Sequence, residues 1–275
     1  MCRILCILHA ILFYMTKRTS PLIVGNWKAT PRTVQEGELF IKQLEKKLTS
    51  KLFLSKTKLP KKAYYLAVPE IFIPTLALLA TSGYIGAQTV QGTILGQITG
   101  GTTASQLKSA GAAFTLIGHS EVRARGETQA SRKEKIEIAL GARLTTIFCL
   151  GEHTRDKDGK YLEELELDVK QTLSLVKRES FSSLVIAYEP IWAIGAPVPA
   201  TASECFEAVI AIRRALASLG GIEYAKKVKV LYGGSVTVDT VTAFLEEGGV
   251  DGLLIGRASQ DVTSFVGILE KVFKK

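Results

Sequence analysis

Eight times along this chain a short, continuously apolar run is followed by a segment with helical periodicity. The runs lie at 22–26, 63–68, 84–88, 113–118, 144–150, 184–188, 228–232 and 252–255. Helical patterns follow at 31–50, 71–80, 102–110, 127–140, 161–177, 201–219 and 238–246, and a last one reaches the C-terminus. A run that does not alternate reads as a strand buried on both faces, and such strands belong to parallel sheets covered by helices. Eight such units in 275 residues predict a single-domain α/β fold, the (β/α)8 barrel, which needs roughly 250 residues. A doubly wound open sheet is the weaker alternative, because no Gly-x-Gly-x-x-Gly follows the first strand. Nothing resembles a linker, so residues 15–275 form one expected catalytic domain.

Composition narrows the function. The chain is 47% hydrophobic and 22% charged, and carries a net charge of +9. That balance suits an anionic ligand. The basic residues are spread out, with no basic arm, zinc pattern or aromatic-basic motif, so nucleic acid is not expected. The 4 cysteines, Cys2, Cys6, Cys149 and Cys205, form no CxxC pair and fit no metal template. A reduced, cytoplasmic protein follows. Residues 4–15 are strongly apolar, with Arg3 before and Lys17-Arg18 after. That run falls short of the roughly 17–25 residues of a membrane span. No small-x-small cleavage site follows it. Met15 is the expected start and residues 1–14 a non-native or disordered extension; a membrane-surface anchor is the rival, and no membrane association is expected.

A barrel of this kind builds its active site at the C-terminal ends of its strands. Asn26 and Lys28 follow the first, His119, Ser120 and Glu121 the fourth, and Cys149 ends the fifth. Glu189 follows the sixth, Gly233-Gly234-Ser235 the seventh, and Gly256-Arg257 the eighth. Pro190 stops the sixth strand at once, leaving Glu189 at its end. Alone, Glu189 reads equally as a solvated strand end. The glycines after strands seven and eight each open a helix, an arrangement that cradles phosphate with backbone N–H groups. His119 opens a helical turn, where imidazolium is disfavoured and a neutral ring can donate to a substrate oxygen. By itself it reads better as a histidine satisfied by neighbours. Asn26 and Lys28, two residues apart, are expected on one side of an extended segment, poised to stabilise an oxyanion. A base, a neutral electrophile, a cation and a phosphate cradle together describe proton abstraction beside the carbonyl of a phosphorylated substrate.

Five motifs on five strands carry a specific resemblance. Gly25-Asn26-Trp27-Lys28, Ile117-Gly118-His119-Ser120-Glu121, the run from Ala187 to Gly195, Tyr232-Gly233-Gly234-Ser235-Val236 and Gly252-Leu-Leu-Ile-Gly256 resemble the triosephosphate isomerase family, from about Pro21 to the C-terminus. The resemblance implies interconversion of dihydroxyacetone phosphate and D-glyceraldehyde 3-phosphate through an enediolate. It implies Glu189 as proton shuttle, His119 as neutral electrophile, and Lys28 with Asn26 as oxyanion stabilisers. Glu121 matches a carboxylate kept near the lysine. Gly195, Ser235, Gly256 and the backbone of Arg257 would hold the phosphate. No cofactor or metal is implied, and a homodimer is.

The departures are local. The lid after Gly195 usually carries Thr-Gly-Lys and here reads Ala196-Pro197-Val198-Pro199, which predicts a changed opening rate. The interdigitating loop at 92–100 carries Ile94-Leu95-Gly96-Gln97 in place of Phe-Thr-Gly-Glu, and Val122 replaces the arginine that pairs with that glutamate across the dimer. Both charges are lost together, so a drier dimer contact is expected. Arg257 stands where a glycine is usual. Two other readings are another phosphate-binding barrel isomerase or aldolase, and an inactive barrel with a binding role. An aldolase needs a Schiff-base lysine or metal cluster, and Lys229 is the lone lysine well inside an expected strand.

Overall fold

The computed structural model describes residues 20–92, 99–196 and 198–275. Residues 1–14, the tip of the 92–100 loop and Pro197 of the lid therefore lie outside the described residues. Eight parallel strands close into a barrel in sequence order: β1 (Leu22–Asn26), β2 (Tyr64–Val68), β3 (Gly83–Ala87), β4 (Phe114–Ile117), β5 (Thr145–Leu150), β6 (Leu184–Tyr188), β7 (Lys229–Tyr232) and β8 (Gly252–Ile255). Closure is made by β1 against β8, where Val24 pairs with Leu254.

The continuous apolar character of the strands is explained by two cores. Val24, Ala67, Phe114, Leu116, Ile147, Cys149, Val185, Ala187, Leu231 and Leu254 fill the lumen. Their strand neighbours, such as Ile23, Leu66, Ile186 and Val230, point outward and pack under the helices. Successive side chains leave a strand on opposite faces, so both faces are apolar only when both are buried.

The covering helices are α1 (Val34–Leu48), α2 (Lys51–Lys56), α3 (Ile73–Leu79), α4 (Ala104–Ser109), α5 (Ser120–Arg123), α6 (Gln129–Gly141), α7 (Lys160–Thr172), α8 (Ala202–Gly220), α9 (Ile222–Lys227), α10 (Val241–Glu247) and α11 (Val262–Val272). The short α2 and α9 are not legible in the sequence, because six residues are too few to display a helical period. The helical pattern at 127–140 becomes α6, which runs one residue further, to Gly141, and Arg143 takes the left-handed position beyond it at φ 59°. A capping box opens α8, with Thr201 accepting from the Glu204 N–H and Glu204 from the Thr201 N–H at 2.7 Å. This box anchors the chain where it leaves the lid. Among the described residues no helix is long and apolar enough to cross a membrane.

Candidate active site

A cleft of about 660 Å³ opens at the C-terminal ends of the strands. Asn26, Lys28, His119, Glu189, Gly195, Ser235, Gly256 and Arg257 all line it. These residues come from the ends of β1, β4, β6, β7 and β8, so barrel closure alone brings them together.

Glu189 is 1% exposed, and its carboxylate is held from beyond the end of β4. Ser120 donates its backbone N–H to Oε2 at 2.9 Å. His119 Nε2 lies 3.4 Å from Oε1. The local backbone explains how the carboxylate is placed. Gly118, at φ 82°, turns the chain out of β4 so that His119 caps α5. Gly151 passes directly against the Glu189 carbonyl, and any Cβ there would collide with that backbone.

The histidine tautomer follows from a hydrogen bond. Glu121 donates its backbone N–H to His119 Nδ1 at 3.3 Å. A ring nitrogen that accepts carries no proton, so the proton of the neutral ring sits on Nε2, which faces the cleft.

Asn26 and Lys28 do not lie on one side of an extended segment, as the spacing alone suggests. Asn26 ends β1, and Lys28 adopts a left-handed conformation at φ 54°. Asn26 Oδ1 accepts the Lys28 N–H at 2.9 Å, and Gln88 Nε2 donates to the Lys28 carbonyl at 2.6 Å. A non-glycine residue at positive φ is strained and needs such support. The turn brings Lys28 Nζ to Glu121 Oε1 at 2.5 Å. Burial alone would raise the Glu121 pKa; the hydrogen bond and charge of Lys28 outweigh it and hold the carboxyl below its usual value. Glu121 thus meets the cleft through the lysine rather than lining it.

The glycine turns after β7 and β8 expose backbone donors. The N–H groups of Gly234 and Ser235, and of Arg257 and Ala258 in the 3-10 turn Arg257–Ser259, have no acceptor among the described residues. Gly195, at φ 74°, adds a lid residue to the same wall. An anion fits this arrangement.

Two supports, the Ser120 backbone and Glu152, are not legible in the sequence. Ser120 contributes its backbone, which no side-chain motif signals. Cys149, at the end of β5, is fully buried; burial pushes its thiol pKa well up and the Glu189 charge adds to this, so it remains a thiol. Glu152 Oε1 accepts from Arg155 Nε at 2.9 Å, from the Tyr188 hydroxyl at 2.8 Å and from Trp192 Nε1 at 2.8 Å. Glu152 therefore latches the first half of the lid to the barrel. Lys229, the aldolase candidate, begins β7 at the far end from the cleft, with Nζ 3.3 Å from the Ser20 carbonyl.

The geometry is matched by relatedness. The family model described as triosephosphate isomerase matches residues 21–272. The triosephosphate isomerase of Porphyromonas gingivalis is 34% identical over 253 residues, covering 90% of this chain and 98% of that protein. The Leptospira borgpetersenii enzyme of the same name is 33% identical, covering 90% and 98%. That of Bacteroides fragilis is 33% identical, covering 90% and 97%. The chain belongs to the triosephosphate isomerase family of enzymes.

Proposed function

We propose that this chain interconverts dihydroxyacetone phosphate and D-glyceraldehyde 3-phosphate by proton transfer through an enediolate. The observation that carries this reading is the pair Glu189 and His119, 3.4 Å apart on one wall of a cleft whose other wall offers free backbone donors. The phosphate sits against Gly195, Ser235, Gly256 and the backbone of Arg257. The substrate's carbonyl oxygen then faces the Nε2–H of His119 and the ammonium of Lys28, with Asn26 holding the lysine's turn.

Glu189 takes the proton from the carbon next to the carbonyl, and the negative charge moves onto oxygen. The donors are already in position for that charge, which is where electrostatic catalysis is strongest. His119 passes its Nε2 proton between the two oxygens, and Glu189 returns its proton to the neighbouring carbon. To reach the substrate, the carboxylate leaves the Ser120 N–H, so that bond stores the base when the cleft is open. Glu121 keeps the lysine directed. The substrate's own carbonyl acidifies the proton, so the reaction runs on these side chains alone.

The catalytic unit is taken as residues 15–275, working in the cytoplasm as a homodimer with an altered 92–100 contact. Support for the dimer comes from Ile71, which is 77% exposed and adjoins Glu70, whose carboxylate accepts the Thr102 hydroxyl at 2.6 Å. Light scattering at micromolar concentration showing only monomer would refute the dimer.

The test of the activity is a coupled assay with glyceraldehyde 3-phosphate on the wild type and on Glu189→Gln. Turnover in the wild type and its near loss in the variant are expected. Turnover that survives in Glu189→Gln rejects the mechanism, and none in the wild type rejects the activity.

A further inference from the structure

The charges along the cleft do not balance for an incoming phosphate. Lys28 is already matched by Glu121 at 2.5 Å. Glu189 contributes a buried negative charge. Asp261 also lines the cleft, but its carboxylate is committed to capping α11, where Oδ2 accepts the Ser264 N–H at 2.7 Å. A dianion entering here meets two carboxylates and a neutralised lysine. Backbone N–H groups supply partial charges only.

Arg257 is the remaining cation on this wall. It is exposed, lines the cleft, and its guanidinium has no hydrogen-bond or ion-pair partner among the described residues. Its backbone φ lies outside the left-handed region, so the side chain is carried without strain. Its own N–H is one of the free donors of the cradle. A guanidinium on that same residue has the reach to fold over an anion seated at the N–H, and its planar fork suits two phosphate oxygens.

We propose that the Arg257 side chain is a phosphate ligand of this cleft, closing over the anion that the backbone holds and supplying the charge the rest of the wall lacks. This rests on the cleft being the phosphate site, and it adds a specificity determinant for the dianionic group of the substrate. Held by one anchored residue, the fork strengthens binding of substrate and transition state alike, so its loss falls in KM more than in kcat.

The experiment uses the full chain and inorganic phosphate as the probe, titrated calorimetrically into wild type, Arg257→Ala and Arg257→Lys. KM for glyceraldehyde 3-phosphate is measured alongside. Arg257→Ala keeps the backbone N–H and is expected to raise both the phosphate Kd and KM by about tenfold, the size of a lost charge-assisted bond. The dependence of Kd on ionic strength should flatten in the same variant. Arg257→Lys should fall between the two. Unchanged thermal melts would show that the fold is intact. A phosphate Kd within twofold of wild type in Arg257→Ala overturns the proposal, as does a wild type that binds no phosphate. If the wild type binds phosphate, weakens in Arg257→Ala, and yet turns over no triose phosphate, the ligand role stands and the isomerase reading falls. If triose phosphate is turned over and the phosphate Kd is indifferent to Arg257→Ala, the isomerase reading stands and the ligand role falls.

Discussion

The backbone N–H of Ser120 donates to Glu189 Oε2 at 2.9 Å, tying the carboxylate that follows β6 to the first residue of α5 beyond β4. The bond crosses the barrel mouth and fixes where the carboxylate waits. It also makes carboxylate reach a sensitive quantity. Glu189→Asp withdraws the oxygens by one methylene from a site arranged for the longer side chain. A misplacement of about 1 Å costs on the order of 100-fold in rate. Steady-state kinetics on glyceraldehyde 3-phosphate should show that fall in kcat, and a fall of less than about fivefold would contradict the positioning.

Gly151 has no room for a side chain, because its Cβ would meet the carbonyl of Glu189. Gly151→Ala must push the end of β6 away from β5. Overpacking against backbone costs about 1–3 kcal/mol. Urea unfolding should show the stability loss and the coupled assay a larger loss of activity, because the displaced residue is the proposed base. Wild-type activity in this variant would refute the close approach.

Arg213 is 1% exposed and donates Nη2 to Asp251 Oδ2 at 2.6 Å and Nη1 to the Ala225 carbonyl at 2.7 Å. Asp251 also accepts the Val230 N–H at 2.8 Å, so the pair ties α8 and α9 to β7. Removing one member of a buried pair costs about 3–5 kcal/mol, since the other charge is left uncompensated. Arg213→Met should lower the unfolding free energy by that amount in a denaturant titration, with little effect on KM if the chain remains folded.

Glu45 accepts the hydroxyls of Tyr64, Thr81 and Ser82 and the Ser82 N–H, pinning α1 to β2 and to the turn before β3. Burial pushes its carboxyl up, but the bonds from Ser82, Tyr64 and Thr81 outweigh this and leave the pKa below 4.5. A lowered folded-state pKa stabilises the protein above the unfolded value and loses that contribution as pH falls through the folded value. The stability gap between wild type and Glu45→Gln is therefore widest near neutral pH and closes as pH drops below 4.5. Urea melts at several pH values read this directly; a gap that widens in acid would show the sign to be wrong.

Much of the site is legible in the residues alone. Glu189, His119 and the glycines at 233–234 and 256 follow apolar runs, and a barrel gathers whatever follows its strands. The Asn26–Lys28 turn is not, because spacing by two suggests an extended segment while φ 54° at Lys28 depends on Gln88 from beyond β3. The Glu152 latch is equally hidden, since Arg155, Tyr188 and Trp192 converge on it from separate parts of the chain.

By itself the sequence determined the number and order of the strands, because burial on both faces leaves a continuous apolar run that local composition reports. It also determined which polar groups stand at the strand ends. Only the tertiary structure decided which of them touch, which tautomer His119 adopts, that Glu121 neutralises Lys28, and that Arg257 has no partner among the described residues. Those outcomes depend on hydrogen bonds and charges between residues brought together from distant parts of the chain, and the closing of β1 on β8 sets those distances.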